Sequence, residues 1–224
     1  MRALRATRRH WGTLRATPGL ATARVFALAD LDPATGGTPT PTRWGLWCGW
    51  ETAGARDAFL AGGRALAPFA DGARESWSLG LDTVRVTEGS FAGWVPSTEG
   101  VERLSRHEPL AVLTYGHVKA RYVWAFTRDN RRIVRELATN TGHTWRLGLF
   151  DHLMARATFS LWRTQGDMVR FSYGPGTLHK RVQRRSLAVP WSHDLFFARF
   201  RPVASSGTWG GVDPLAQVRA VVAA

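Results

Sequence analysis

The amino-acid sequence predicts an α+β fold built from two similar halves. Segments in which apolar and polar residues alternate, as in half-buried strands, are separated by segments with helical spacing of apolar residues. A pattern that begins at Trp50 recurs at Trp162, and a glycine-rich pattern at Gly89 recurs at Gly207. We therefore predict a duplicated scaffold whose two halves form one compact barrel.

The first half predicts the element order αββαβ. A basic, helix-permissive segment ends at Pro18 and Gly19, and two strands follow that are separated by a Pro- and Gly-rich loop. The predicted elements are a helix at 3–15, strands at 23–29 and 43–50, a helix at 52–74 that breaks at Gly62 and Gly63, and a strand at 75–81.

The second half predicts the order βαββαβ, which is the ferredoxin-like arrangement. Its second helical region is interrupted by Gly174, Pro175 and Gly176, after which a basic helical segment begins. The predicted elements are strands at 110–118, 143–150, 157–162 and 194–200, and helices at 121–138, from Thr164 onward and at 178–187.

These orders predict the fold class: α+β, with two fused ferredoxin-like units that form a dimeric α+β barrel type within one chain. Residues 1–98 form the first half, and residues 110–224 form the second half and carry the site. The first unit lacks its opening strand. Two explanations stay open: the start codon has been placed late, or the sheet is one strand short.

The two halves differ in one helical region. The matched anchors are Trp50, Thr52, Phe59 and Gly89 in the first half and Trp162, Thr164, Phe171 and Gly207 in the second. The spacing between matched residues grows after the helix, so the second copy carries about six additional residues there. Such a difference is expected when only one copy holds a site. The alternative is a chance similarity between two Trp-rich strand-helix units.

The composition is that of an ordinary globular protein. The chain has 224 residues, 44% of them hydrophobic and 21% charged, which argues against wholesale disorder. Cys48 is the only cysteine, which excludes an internal disulfide framework and a multi-cysteine metal site and suits a reducing cytoplasm. No apolar run approaches the ~20 residues of a membrane-spanning helix, and no secretory signal is recognised.

The charge is strongly positive, with 30 lysines and arginines against 17 aspartates and glutamates. Such a balance is typical of proteins that bind nucleic acid or acidic membranes. However, Lys119 and Lys180 are the only lysines, and the arginines are scattered along the chain, as a GC-rich coding sequence produces. We therefore expect no nucleic-acid partner. A basic face that docks an acidic electron-transfer protein is a further interpretation.

Motifs of other cofactor classes are absent from the sequence. There is no HExxH, and no cluster with the spacing of a zinc or non-haem iron site. The Gly-Pro-Gly at 174–176 lacks the Gly-Lys-Ser/Thr ending of a phosphate-binding loop. No Gly-x-Gly-x-x-Gly is present to hold a flavin or nicotinamide, so electrons are expected to come from a separate protein.

A series of residues in both halves has a recognisable order and spacing. It comprises Thr158, Phe159, Ser160, Trp162, Met168, Phe171, His179, Trp191 and Phe197 to Phe200 in the second half, and Glu75, Ser76, Trp77, Gly89 and Gly93 to Pro96 in the first. This series closely resembles the spheroidene monooxygenase family of carotenoid-modifying enzymes. The chain departs from the family's pattern at Gly148 to Asp151, Ser192 and Asp194, positions that we expect to shape the substrate side.

The resemblance implies a haem-dependent monooxygenase that uses molecular oxygen, haem b and an external electron donor, a ferredoxin or a reductase. Family members ketolate or hydroxylate a linear carotenoid, and relatives N-oxygenate an amino-acid side chain. The expected substrate is therefore apolar or amino-acid-like. The expected location is the cytoplasm, with peripheral contact to the inner membrane surface if the substrate is a carotenoid.

His179 is the predicted axial ligand of the haem iron. It follows the Gly-Pro-Gly break and lies in the region that distinguishes the two halves. A neutral imidazole binds haem iron readily when an acceptor holds the ring in one tautomer. The alternative is a solvated residue in a basic run. His193 is the runner-up ligand and His117 a candidate for facing a pocket, while the remaining histidines are expected to be exposed: His10, His107, His143 and His152.

Arg121 and Trp124 are the other predicted cofactor-binding residues. Arg121 begins the long helix and is a candidate to pair with a haem propionate or to donate to bound oxygen; the alternative is a solvated helix-terminal charge. Trp124, like Trp145 and Trp162, belongs to an element expected to line the second-half cavity. The sequence assigns no catalytic residue.

Overall fold

Helices and strands follow one another along the chain in the predicted order, with one additional helix at the C-terminal end. The computed structural model describes residues 10–31, 37–62, 67–70, 72–91, 93–151, 154–189 and 191–223. The strands are β1 (Leu20–Asp30), β2 (Trp44–Trp50), β3 (Trp77–Glu88), β4 (Leu110–Val118), β5 (His143–Phe150), β6 (Ala155–Trp162) and β7 (Ser192–Gly207). The helices are α1 (residues 10–15), α2 (Ala53–Ala61), α3 (Ala67–Ala70), α4 (Val123–Ala138), α5 (Gln165–Tyr173), α6 (Leu178–Ala188) and α7 (Pro214–Ala223), with a 3₁₀ turn at Ala120–Tyr122.

The described strands form one antiparallel sheet that is strongly curled. Their order is β2-β1-β5-β6-β4-β7-β3. A flat sheet would hold β2 and β7 about 24 Å apart, because four strands lie between them. Instead the ring centroids of Trp47 on β2 and Phe200 on β7 are 5.5 Å apart. Trp77 on β3 and Trp145 on β5 are likewise 4.6 Å apart. The two edges of the sheet therefore face each other across an aromatic interior.

Side chains alternate between this interior and an outer face that carries helices. Phe91, Phe159 and Phe196 belong to the interior cluster, to which α7 adds Val218. On the outer face, Phe171 of α5 packs against a second cluster from β4 and β6. Helix α5 thus covers the second half of the sheet, while α1 and α2 pack on β1 and β2.

The two sequence repeats have the same local structure at their anchors. Thr52 and Thr164 are both N-caps, and each accepts a hydrogen bond from the backbone N–H three residues later, 3.1 Å away in both cases. Phe59 and Phe171 are buried in the helices that follow. Gly89, which follows β3, and Gly207, the last residue of β7, both have positive φ. The repeat that we predicted from spacing therefore corresponds to matching caps and turns.

The structure confirms an α+β fold with a curled antiparallel sheet. In the second half, β4 lies between β6 and β7, whereas no described strand lies between β2 and β3, which are both edges. The prediction of two fused ferredoxin-like units, with halves at 1–98 and 110–224, stays a prediction, and residues 1–9 lie outside the described residues. Among the described helices, none combines the length and apolar character that a membrane span requires.

Candidate functional site

His179 lies in the first turn of α6, and this turn is fixed by two contacts. The Thr177 hydroxyl accepts a hydrogen bond from the backbone N–H of Lys180 at 3.4 Å, which caps the helix. The carboxylate of Glu136, on α4, accepts from the backbone N–H of Leu178 at 3.2 Å. A negative charge at a helix N-terminus is favourable. Glu136 was not predicted from the sequence, and it attaches the start of α6 to α4.

The imidazole of His179 is held against the last turn of α5. Its Nδ1 lies 3.4 Å from the backbone oxygen of Ser172, and its ring centroid lies 5.4 Å from that of Phe171. A carbonyl oxygen only accepts, so this contact requires the proton on Nδ1 and leaves a lone pair on Nε2. The Gly-Pro-Gly break makes the contact possible, because Gly176, at φ +78°, lets the chain turn back after α5 ends.

The environment of His179 favours the neutral ring. Burial lowers the pKa of His179 below its ordinary value of 6.5, although the Ser172 carbonyl and the charge of Glu136 raise it in part. A neutral imidazole with its tautomer fixed by an acceptor is the form that binds haem iron. The residues around His179 therefore fit the ligand role that the sequence predicted for it.

Arg199 on β7 lies close to the same turn of α5 and was not among the predicted site residues. Its Nη2 donates to the Tyr173 hydroxyl at 3.2 Å, and only 9% of the residue is exposed. We call His179, the segment Phe171–Tyr173 and Arg199 the helix-side site. The sequence did hold a signal: Arg199 is a charge within the otherwise apolar stretch Phe-Phe-Ala-Arg-Phe.

Arg121 and Trp124 are not brought together with His179. They precede and begin α4, whereas Glu136 near its end contacts α6 beside His179. Twelve residues of helix between Trp124 and Glu136 correspond to about 18 Å. Trp124 is 87% exposed, and the Arg121 guanidinium stacks on Tyr122 at 4.8 Å from the ring centroid. This arrangement does not favour one cofactor that contacts all three residues.

The runner-up ligand His193 is exposed at the start of β7. Its ring centroid lies 6.1 Å from that of His117, so these two histidines form a pair apart from His179. His107 is exposed as expected, and His10 is half-buried. His152 lies outside the described residues. The expectation that His143 is exposed is wrong. His143 begins β5, and its ring packs against that of Trp162 at the end of β6.

His143 is expected to make the fold sensitive to acid. Burial and the charge of Arg146 lower the pKa of His143 from 6.5 to about 3, against a smaller opposing effect of a hydrogen bond at Trp145. The unfolded chain therefore binds this proton more readily, and stability falls as the pH drops from 6.5 toward 3. Between pH 7 and pH 4.5, the free energy of unfolding should therefore fall by roughly 2 kcal/mol less in His143→Phe than in the natural chain. Urea unfolding of both proteins at the two pH values measures this difference, and equal losses would contradict the prediction.

Asp167 anchors the start of α5 and hence the helix-side site. It is 5% exposed, accepts from the Thr164 hydroxyl at 2.7 Å and pairs with Arg163 and Arg170. Asp167→Ala should therefore destabilise the fold by about 2–3 kcal/mol in urea unfolding. The matched control is Asp57→Ala, since Asp57 is 60% exposed and its pair with Arg56 should contribute about 0.5 kcal/mol or less. Similar effects of the two changes would refute the anchoring role.

The tryptophans gather in a different place from His179. A cavity of about 680 Å³ opens between the edge strands β2 and β3. Seven tryptophans line it: Trp44, Trp47, Trp50, Trp77, Trp94, Trp145 and Trp209. Trp124, Trp145 and Trp162 belong to elements that were expected to line the second-half cavity. Of the three, Trp145 lines this cavity, whereas Trp162 packs on the outer face and Trp124 is exposed.

Among the described residues that line this aromatic cavity, few are of the types that bind haem iron in proteins. No histidine lines it, and its one sulfur ligand is Cys48. Burial raises the pKa of the Cys48 thiol to about 12, which disfavours the free thiolate at neutral pH. The cavity lies between β2 and β3. In the second half of the sheet, the corresponding position between β6 and β7 is filled by strand β4.

Comparison with known proteins agrees with the resemblance found in the motifs. No family model matches the chain. A spheroidene monooxygenase of Rhodobacter capsulatus is 28% identical over 199 residues, which cover 86% of this chain and 81% of that protein. A spheroidene monooxygenase of Cereibacter sphaeroides is 27% identical over 120 residues, or 53% of this chain and 37% of that protein.

Solved structures show a weaker likeness. A candidate monooxygenase of Fusobacterium nucleatum aligns with a TM-score of 0.44 and 13% identity over 93% of this chain and 88% of that one. A candidate monooxygenase of Lactobacillus acidophilus aligns with a TM-score of 0.41 and 11% identity over 94% and 90%. These values are too low to support a conclusion. The sequence comparison is stronger, and it confirms that this chain is related to the spheroidene monooxygenases.

Proposed function

We propose that this chain is a haem-dependent monooxygenase and that His179 is the axial ligand of its iron. The most direct support is the environment of His179, a half-buried and neutral imidazole whose Nδ1 is held by the Ser172 carbonyl. The free Nε2 is then available to the metal. The relation to proteins named spheroidene monooxygenases supports the reaction class.

The residues of the chain would position the cofactor, and haem b when bound would supply the oxygen chemistry. Glu136 fixes the first turn of α6, and Phe171 packs on the imidazole. Together they restrict the ring to one orientation. Phe171 is 5% exposed, and the apolar packing beneath it keeps water from the ligand side of the site.

The proposed substrate is a carotenoid, by relation to the named proteins. The second candidate is an amino acid that is oxygenated on a side-chain nitrogen. One observation favours this second candidate: the buried guanidinium of Arg199 borders the same turn of α5, and an amino acid brings a carboxylate that such a group binds well.

The proposed electron donor is a separate ferredoxin or reductase. Helices α4 and α6 pack together and expose cations that include Arg132, Arg181 and Arg184. A positive face attracts an acidic protein and raises its association rate. Trp124 is exposed on α4 and suits the peripheral membrane contact that a carotenoid substrate would require.

An absorption spectrum of the purified chain tests the proposal. We expect a Soret band that shifts after dithionite and again after carbon monoxide, because a haem with one histidine ligand keeps a position open. Oxygen-dependent turnover with a reductase then separates an enzyme from a haem carrier. A chain that is colourless, and stays so with added haemin, refutes the proposal. Salt-dependent affinity for nucleic acid would then favour the polyanion-binding alternative.

A further inference from the structure

Arg199 is a buried charge without an acidic partner. Of the described residues, the buried polar ones are Asp167, Ser172 and Arg199. Asp167 is paired with two arginines, whereas the ion pairs among the described residues do not include Arg199. Its Nη2 donates to the neutral Tyr173 hydroxyl, and its Nε is buried with no hydrogen-bond partner.

The surroundings of Arg199 compensate this charge only in part. The guanidinium carbon lies 5.8 Å from the ring centroid of Phe197 and 5.9 Å from that of Tyr173, distances at which aromatic faces attract cations weakly. Directly across the strand pair is Arg85, a second cation. Like charges at facing positions repel. Because a buried, unpaired guanidinium is unfavourable, this arrangement indicates that an anion belongs beside Arg199.

The sheet beside Arg199 is incompletely covered. Thr114 lies across from Thr158 on one side and from Phe197 on the other. Both threonines are only half-buried, although β4 and β6 are central strands of the sheet. On the outer face, the strands next to Arg199 therefore carry small side chains that stay partly exposed to solvent. A ligand would lie on this part of the sheet.

We propose that Arg199 binds a carboxylate of the ligand that occupies the helix-side site. This inference rests on the proposed function, which places a ligand near His179. It adds that Arg199 is the group that recognises the anionic end of that ligand. A guanidinium binds a carboxylate through two parallel hydrogen bonds, and the unpaired Nε belongs to such a fork. The carboxylate comes from a propionate of the haem or from the substrate itself.

Three variants test the proposal. Arg199→Met removes the charge at similar volume, and Arg199→Lys keeps the charge without the fork. The matched control is Arg201→Met, because Arg201 lies two residues along β7 and already pairs with Glu108 at 3.3 Å. Without ligand, Arg199→Met should have a melting temperature equal to or above that of the natural chain, since it removes an unpaired buried charge. A clear fall in this temperature would show an internal structural role and overturn the proposal.

Binding measurements then distinguish the two sources of the carboxylate. If the source is the cofactor, the natural chain should bind haemin about tenfold or more tightly than haemin dimethyl ester. Arg199→Met should abolish that preference, Arg199→Lys should reduce it, and Arg201→Met should keep it. If the source is the substrate, Arg199→Met keeps the haemin preference but loses a preference of the haem-loaded protein for benzoate over benzamide.

The outcomes remain separable from those of the proposed function. If the natural chain takes up no haemin, the function fails, and the benzoate and benzamide comparison is made on the ligand-free chain by thermal shift. A preference for benzoate that Arg199→Met removes would still support the carboxylate site. If the natural chain distinguishes neither pair of probes, or if Arg199→Met distinguishes them equally well, the proposal is overturned.

Discussion

Replacing His179 by alanine is expected to remove haem binding from the chain. The variant should lose the Soret band on purification, and its affinity for added haemin should fall at least about a hundredfold, because the change deletes the nitrogen that binds the iron. Absorbance titration with haemin measures this loss. The fold should persist, since the imidazole makes only a 3.4 Å contact to Ser172 and a ring contact to Phe171.

The control for this change is His193→Ala, which removes the runner-up ligand at an exposed position. It should leave the Soret band unchanged. A second variant, His179→Gly, leaves space for free imidazole, and added imidazole should restore haem binding to it. If His179→Ala keeps its haem while His193→Ala loses it, the ligand assignment is wrong and the runner-up is correct.

Local signals explain why most elements were predictable from the sequence. The helices predicted to start at Thr52 and Thr164 do start there, and both threonines cap them. Alternation identified β6, because one of its faces lies in the apolar interior. Helix α7 was missed, although Asp213 followed by Pro214 is a typical helix start and the Asp213 carboxylate accepts from the backbone N–H of Leu215 at 2.9 Å.

The rest of the site depends on contacts between distant segments. His179 could be singled out because it stands in the region where the two repeats differ. Glu136 is 42 positions from Leu178, and Tyr173 is 26 positions from Arg199, so no local pattern shows that these residues contact each other. The curl of the sheet likewise decides that Trp47 faces Phe200 and that the tryptophans lie apart from His179. Such placements follow from tertiary packing, which periodicity does not encode.

The largest loss of stability is expected for Gly89→Ala, at the turn after β3. Gly89 has φ +70°, and a Cβ there would lie 1.7 Å from the backbone oxygen of Leu195 on β7. The change therefore combines an unfavourable left-handed conformation with a clash against backbone that cannot rotate away. We expect a destabilisation on the order of 4 kcal/mol in urea unfolding.

Gly93→Ala is the matched control, because Gly93 has φ +80° and no atom within 4 Å of the added methyl group. Gly93→Ala should lower the free energy of unfolding by about 1–2 kcal/mol, which is the cost of the left-handed conformation without a clash. The difference between the two variants then measures the clash. Gly207, the repeat counterpart of Gly89, would place its Cβ 2.1 Å from the Ser76 oxygen, so Gly207→Ala should resemble Gly89→Ala. Equal, small losses at Gly89 and Gly93 would mean that β3 and β7 can separate at this end without cost, contrary to the pairing that holds Phe197 and Arg199 in place.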